Sequence, residues 1–222
     1  MGKAVKALVG ILVFAAAAGA AEDTIKWEVS KQITYFPPDT APGNFGKDYS
    51  HLRPKYVLEW APAIHADIDR IRVYFDNWEC CATGLNGQLE YGGMPRNDYD
   101  TAVKKENDWR NRYLDFVVTV ICKNEDFYKS STEEFWRFYL ITENDEIEPY
   151  NVNGRGGIKG KTWAGKISAA PTDVWIEEQL FTNTFYVTFE NPYGNETPTS
   201  LKLVLEGGDV KRGFEWRFKE DK

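Results

Sequence analysis

The sequence predicts a mostly β protein, an antiparallel β-sandwich with long loop insertions, preceded by a signal peptide. Short runs of alternating apolar and polar residues recur along the chain, and Gly, Pro and Asn separate them. Aromatic residues make up 15% of the sequence. Alternation with a period of two indicates a strand with one buried face, and aromatic residues are enriched in strands.

The beginning of the chain has the layout of a secretory signal peptide. Two lysines precede an apolar run over residues 7–21, which Glu22 and Asp23 close. Small residues at the end of such a run suit signal peptidase, and a membrane-spanning helix needs about 20 apolar residues. We predict that residues 1–21 are removed and that residues 22–222 form one β-sandwich domain. The mature form, without a membrane span, would be secreted or periplasmic.

The first strands are predicted in order along the chain. Residues 25–30, 56–60 and 71–75 alternate between apolar and polar side chains, as expected for strands with one solvated face. Residues 113–123 form the longest run, and both of its faces are partly apolar. Residues 135–142 share this pattern, which is typical of central strands.

The C-terminal part repeats the pattern in three short runs at residues 180–190, 201–205 and 214–218, with Gly, Pro and Asn between them. From residue 113 to residue 218, the spacing of the strands resembles that of immunoglobulin-like β-sandwiches. The resemblance lies in strand spacing alone, because the Cys, Trp, Cys spacing of antibody domains is absent.

Three stretches interrupt the strands. Residues 37–54 and 84–112 are rich in polar and turn-forming residues, and a short helix is expected from Asp98 onward. Residues 151–171 are rich in Gly and Lys and predict a basic loop, followed by a helical turn at residues 173–179. Long loops of this kind often carry function.

Three cysteines predict one disulfide bond. Cys80 and Cys81 are adjacent, and Cys122 lies near the end of the longest strand. Exported proteins meet oxidising conditions, so we expect Cys122 to pair with Cys80 or Cys81. The third thiol would be buried or would join a partner chain. A bridge between Cys80 and Cys81 is the alternative.

Motifs for cofactors and metals are weak. The glycine-rich segment at residues 154–162 has Arg155 where a phosphate-binding loop requires glycine, so no cofactor is predicted. His65, Asp67 and Asp69 alternate and would share one face of a strand. They are weak candidates for a metal site, because a structural metal usually takes four ligands.

The charge of the mature chain limits its partners. Removal of the two lysines in the signal peptide leaves 25 basic and 34 acidic residues, a net charge of about −9. An acidic surface repels phosphate groups, which argues against nucleic acid and anionic membrane surfaces. We therefore expect a protein or glycan partner outside the cytoplasm.

No catalytic residue is predicted, since the sequence has two histidines and no nucleophile motif. The first hypothesis is therefore a non-catalytic interaction module that binds a protein or an envelope component. The alternative is a carbohydrate-binding module whose exposed aromatic residues would be Trp78, Tyr91, Tyr99 and Trp109. A secreted hydrolase is the third hypothesis, which depends on a spatial separation of carboxylates that sequence does not give.

Overall fold

The computed structural model describes residues 25–29, 42–142, 145–155, 159–169, 172–194, 196 and 198–218. The predicted signal peptide lies outside the described residues. The strands are β1 Lys26–Val29, β2 Val57–Trp60, β3 Ile68–Asp76, β4 Tyr113–Cys122, β5 Arg137–Ile141, β6 Glu146–Ile147, β7 Asn151–Arg155, β8 Lys159–Ala169, β9 Thr172–Glu190, β10 Ser200–Gly207 and β11 Val210–Arg217. The helices are α1 Arg53–Tyr56, α2 Trp78–Glu90, α3 Arg96–Arg110 and α4 Glu125–Ser130, and 3₁₀ turns occur at Pro42–Asn44 and Tyr49–His51.

The strands form two sheets. The smaller sheet has the order β1-β11-β10-β5-β6, and the larger has the order β2-β3-β4-β9-β7, with β8 also paired to β9. All pairs are antiparallel except β1 with β11. The prediction of a mostly β fold with two largely antiparallel sheets is confirmed.

One hydrophobic core lies between the sheets. Aromatic rings meet across it: Phe75 lies 5.7 Å from Trp216, and Phe138 lies 5.5 Å from Phe185, measured between ring centroids. The even-numbered residues of β4 are buried and the odd-numbered ones are partly exposed, as the alternation predicted. Because β4 pairs with β3 on one side and β9 on the other, the prediction of a central strand there is confirmed.

The polar stretch at residues 84–112 was predicted as a loop with a short helix, but helices occupy most of it. Helices α2 and α3 form a hairpin that packs against the larger sheet, and α2 begins at residue 78, before the stretch. The Asn77 side chain accepts a hydrogen bond of 3.1 Å from the backbone N–H of Cys80 and so caps the N-terminus of α2. Helix α3 needs few apolar positions, since Tyr99 is its one buried residue, whereas α2 buries seven of its thirteen residues.

The Gly- and Lys-rich stretch forms strands rather than a basic loop. Most of its residues lie in β7 and β8, and the helical turn predicted at residues 173–179 is part of β9. Backbone pairs such as Lys161 with Gln179 join β8 to β9. Pairing with a neighbouring strand overrides the low strand propensity of Gly and Lys.

None of the helices in the described ranges is long and apolar enough to cross a membrane.

Candidate binding face

The side of the larger sheet that faces away from the core carries two rows of side chains. Strand pairing places Val57, Tyr74, Val117 and Tyr186 beside one another, and Glu59, Arg72, Thr119 and Thr184 form the next row. We call these eight residues the outer face. All are exposed or partly exposed, and neighbouring strands are about 4.8 Å apart. The rows therefore form a continuous surface across four strands.

A cleft of about 630 Å³ opens on the outer face. Its lining consists of Tyr49, Val57, Glu59, Arg72, Tyr74, Val117 and Thr119. Tyr49 reaches the cleft from its 3₁₀ turn and packs against Gly84 of α2, where an added Cβ would lie 2.6 Å from the Tyr49 hydroxyl. Burial raises the pKa of Tyr49 and of Tyr74 far above their usual values, so both phenols stay neutral. Clefts of a few hundred Å³ with mixed apolar and polar walls are typical ligand sites.

The charges in the cleft are paired with one another. Glu59 accepts hydrogen bonds from Arg72 and, at 3.3 Å, from Arg70. Among the lining residues Glu59 is the one carboxylate. Both oxygens of this carboxylate are therefore occupied by hydrogen bonds from guanidinium groups of the protein.

An aromatic strip borders the outer face. The rings of Trp109 and Tyr113 are 4.4 Å apart, and those of Tyr113 and Tyr150 are 5.0 Å apart, between centroids. Trp109 is 40% exposed and Tyr150 is 59% exposed. Clusters of exposed Trp and Tyr are favoured in binding surfaces, since they combine a large apolar area with a polar group.

Arg110 fixes the strip to the sheet. Its guanidinium donates to the backbone carbonyl of Asp76 at 2.5 Å, to Asp115 Oδ2 at 3.0 Å and to Asp76 Oδ2 at 3.2 Å. Asp115 also accepts hydrogen bonds of 2.7 Å from Trp109 Nε1 and from the Thr188 hydroxyl. The end of α3, which carries Trp109, is therefore joined to β3, β4 and β9.

The four aromatic candidates from the sequence do not form one site. Trp78 and Tyr99 are buried, whereas Tyr91 and Trp109 are 80% and 40% exposed. Tyr91 caps the C-terminus of α2, and Trp109 lies in the last turn of α3. At 1.5 Å per residue, the length of α3 separates the two by about 20 Å. Of the four, only Trp109 belongs to the aromatic strip.

Sequence reasoning missed the other aromatic residues of this surface. Tyr113 and Tyr186 occupy outward positions of strands that had been predicted, and Tyr150 directly precedes β7. For Tyr113 and Tyr186, the available signal was their period-two position, on the opposite side of the strand from its buried residues. The sequence prediction instead places the binding aromatics in or beside the polar stretch at residues 84–112.

The structure does not contain the predicted disulfide bond. All three cysteines are free thiols. Cys122 lies opposite Ile68 at one end of the β3–β4 pair, whereas Cys80 and Cys81 follow the other end, in α2. Eight residues of strand correspond to about 26 Å, and a disulfide requires Cα atoms within about 7 Å. Burial raises the pKa of Cys80 and of Cys122 to about 11, so neither is a reactive thiolate at neutral pH.

The three weak metal candidates are engaged in other contacts. His65 precedes β3, and its Nδ1 accepts hydrogen bonds from the backbone N–H groups of Asp67 and Ile68. Asp67 accepts from the Asn124 side chain at 3.0 Å, and Asp69 accepts from Arg70 at 2.6 Å. Because His65 and Asp67 lie in a turn, the expected shared face of a strand does not form. No cluster of three or more His, Cys, Asp or Glu suited to a metal occurs within the described ranges.

Comparison of the chain with protein-family models, with curated proteins and with solved structures gives no match.

Proposed function

We propose that the protein is a non-catalytic interaction module that holds a protein or an envelope component on the outer face. One observation carries the proposal: the cleft of the outer face lies on the same side of the sheet as the aromatic strip. A ligand lying across both would contact apolar, aromatic and hydrogen-bonding groups together. This is the composition of binding hot spots.

Hydrolysis has less support from the same surface. Three carboxylates beside the strip and the cleft, Asp76, Asp115 and Glu59, each accept hydrogen bonds from an arginine. Glu190, which pairs with Tyr113 between β4 and β9, is exposed to solvent. A hydrolase of the two-carboxylate type needs one carboxyl group kept protonated and facing the substrate. Asp76 is the closest to this description, since burial raises its pKa, but its carboxylate contacts Arg110.

Carbohydrate binding is the second candidate, and the aromatic strip favours it. Sugar rings present flat apolar faces and hydroxyl groups, and exposed Tyr and Trp side chains match both. Tyr186 adds a ring on the outer face, 42% exposed, with the Arg155 guanidinium 5.3 Å from its centroid. The proposed sugar-binding residues are therefore Trp109, Tyr113, Tyr150 and Tyr186, and Trp109 is the one among them that the sequence predicted.

We also propose that the chain is exported and cleaved near residue 21, and that the sandwich is of the immunoglobulin-like type. The apolar start of the chain supports the first part. The second is supported by the path of the chain, which passes from the smaller sheet at β6 to the larger at β7 and returns at β10. Such crossings between sheets are a property of Greek-key sandwiches.

Capture by the immobilised mature chain tests the binding face. Native envelope fractions and a glycan array would be applied to three proteins: the wild type, the double variant Tyr150→Ser with Tyr186→Ser, and the control Tyr91→Ser. We expect the double variant to lose at least tenfold in affinity for the retained component, while the control binds like the wild type. Equal retention by all three proteins would contradict the proposal, and the nature of the retained component separates protein from glycan recognition.

A further inference from the structure

A second cleft, of about 470 Å³, lies away from the outer face, where the loop after β2 meets the turn between β10 and β11. Its lining consists of Trp60, Ala61, Pro62, Ala63, Ile64, His65, Asp209, Val210 and Arg212. One wall is the apolar loop at residues 61–64, in which Ile64 is almost fully exposed. The other wall is polar and carries His65 and Arg212. The cleft is therefore amphipathic.

Trp60 holds the two polar side chains in place. The Arg212 guanidinium lies 4.4 Å from the centroid of the Trp60 ring, a stacked cation–π arrangement. The His65 ring meets Trp60 edge-on, with centroids 6.4 Å apart. Arg212 is fixed further by a 2.9 Å hydrogen bond from Nη1 to the Lys211 carbonyl. The donors of this wall are therefore preorganised.

The contacts of His65 define its tautomer. Nδ1 accepts hydrogen bonds of 3.1 Å and 3.0 Å from the N–H groups of Asp67 and Ile68. Because Nδ1 must present its lone pair to them, the ring proton lies on Nε2. Nε2 is 3.6 Å from the Asp209 carboxylate, beyond hydrogen-bond distance.

Two N–H donors of this wall find no acceptor in the part of the chain that the structure describes. Within the described ranges, neither His65 Nε2 nor Arg212 Nε makes a hydrogen bond, and both atoms are buried. Buried donors are nearly always paired in proteins. Two such donors beside one cleft are matched by a single group with two acceptor atoms and a negative charge.

We propose that this cleft binds the carboxylate group of a small amphipathic ligand, with His65 and Arg212 as the donors and the loop at residues 61–64 as the apolar contact. Charge-assisted hydrogen bonds from a guanidinium to a carboxylate are among the stronger polar contacts in proteins. Asp209 lies at the solvent-exposed edge of the cleft, with its side chain 86% exposed next to Gly208, whose φ is +58°. Its carboxylate turns outward when the ligand carboxylate takes its place near Nε2. A free acid and the C-terminus of a short peptide offer the same chemistry.

Titration of the mature chain, observed by ¹H–¹⁵N NMR, tests the site with three probes. These are 3-phenylpropionate, its amide, and N-acetyl-Ala-Ala-Phe with a free carboxylate. We expect saturable shifts of the Trp60 indole signal with at least one carboxylate and none with the amide. The acid alone, the peptide alone or both can bind, and each result supports the site and identifies the source of the carboxylate.

Substitutions show which donors bind the probe. His65→Asn keeps an acceptor where Nδ1 was, so the turn is retained while the Nε2 donor is lost. Arg212→Gln removes the charge, and Arg217→Gln in the same strand is the matched control, since Arg217 lies outside the cleft. We expect a tenfold or greater loss of affinity in the first two variants and none in the control. Absence of saturable shifts with both carboxylates, equal binding of the amide, or unchanged affinity in His65→Asn would each overturn the proposal.

Discussion

Replacement of Arg110 by Met should uncouple the helical hairpin from the larger sheet. The Arg110 side chain is 11% exposed and contacts Asp76 and Asp115, with Glu106 at 3.7 Å. Removal of one partner from a buried ion pair costs about 3–5 kcal/mol. Because the Asp76 side chain is 35% exposed, water can compensate in part, so we expect the lower end, about 3 kcal/mol.

The loss of stability in Arg110→Met should depend on pH, and the ionisation of Asp76 determines whether the loss grows or shrinks as pH rises. Burial raises the pKa of Asp76, and Arg110 offsets part of this effect. An acid with a higher pKa in the folded state holds its proton more tightly when folded, so its ionisation lowers the free energy of unfolding as pH rises. Arg110→Met raises this pKa further. The destabilisation should therefore be smaller near pH 4, where Asp76 is partly protonated, than near pH 7, by about 1.4 kcal/mol for each pKa unit.

Urea denaturation at both pH values measures this difference against the wild type. Arg96→Met is the matched control in the same helix, because Arg96 makes an exposed pair with Asp100. Exposed pairs contribute about 0.2–1 kcal/mol. A loss in Arg110→Met that equals the control, or one that is the same at both pH values, would refute the assignment of Arg110 as the link between helix and sheet.

Three further predictions concern the thiols, the core and the mature N-terminus. All three cysteines should titrate as free thiols after unfolding, and fewer than three thiols in peptide maps would contradict this. In the native state, Cys80 and Cys122 should react slowly with iodoacetamide, because burial raises their pKa to about 11. Trp216→Ala should lower the free energy of unfolding by about 3–5 kcal/mol, since the Trp216 ring is fully buried. Tyr150→Ala should change the free energy of unfolding little. A similar loss of stability in both variants would show that the aromatic strip is structural. Intact mass of the exported protein should show that Lys3 has been removed, and its retention would contradict cleavage.

The strands of the sandwich were predictable wherever alternation decides which side is buried. In β4, Leu114, Phe116 and Val118 face the core and their neighbours do not, so a pattern with a period of two is enough. The same alternation predicts which residues of each strand lie on the outer face, because outward and inward residues alternate along the strand. Which outward residues lie side by side depends on strand order and register, which no local pattern gives.

The failures came from long-range effects. Residues 173–179 became part of β9 because β8 pairs with them, and local propensity cannot report a partner. The disulfide was expected because exported proteins meet oxidising conditions and the chain has three cysteines. The register of β3 against β4 instead places Cys122 far from Cys80 and Cys81. Trp78 and Tyr99 were expected at the surface because their segment is polar, although each lies on the buried side of its helix.

Hydroxyl-radical footprinting of the mature chain, with and without the component it captures, tests the binding face most directly. Oxidation of Trp and Tyr side chains follows their exposure, and Tyr150, Tyr186 and Tyr91 are all exposed in the free protein. We predict that the bound component protects Tyr150 and Tyr186 while Tyr91, at the far end of the helical hairpin, is oxidised as before. Protection of Tyr91 with unchanged oxidation of Tyr150 and Tyr186 would place the partner on the helical hairpin and contradict binding at the outer face.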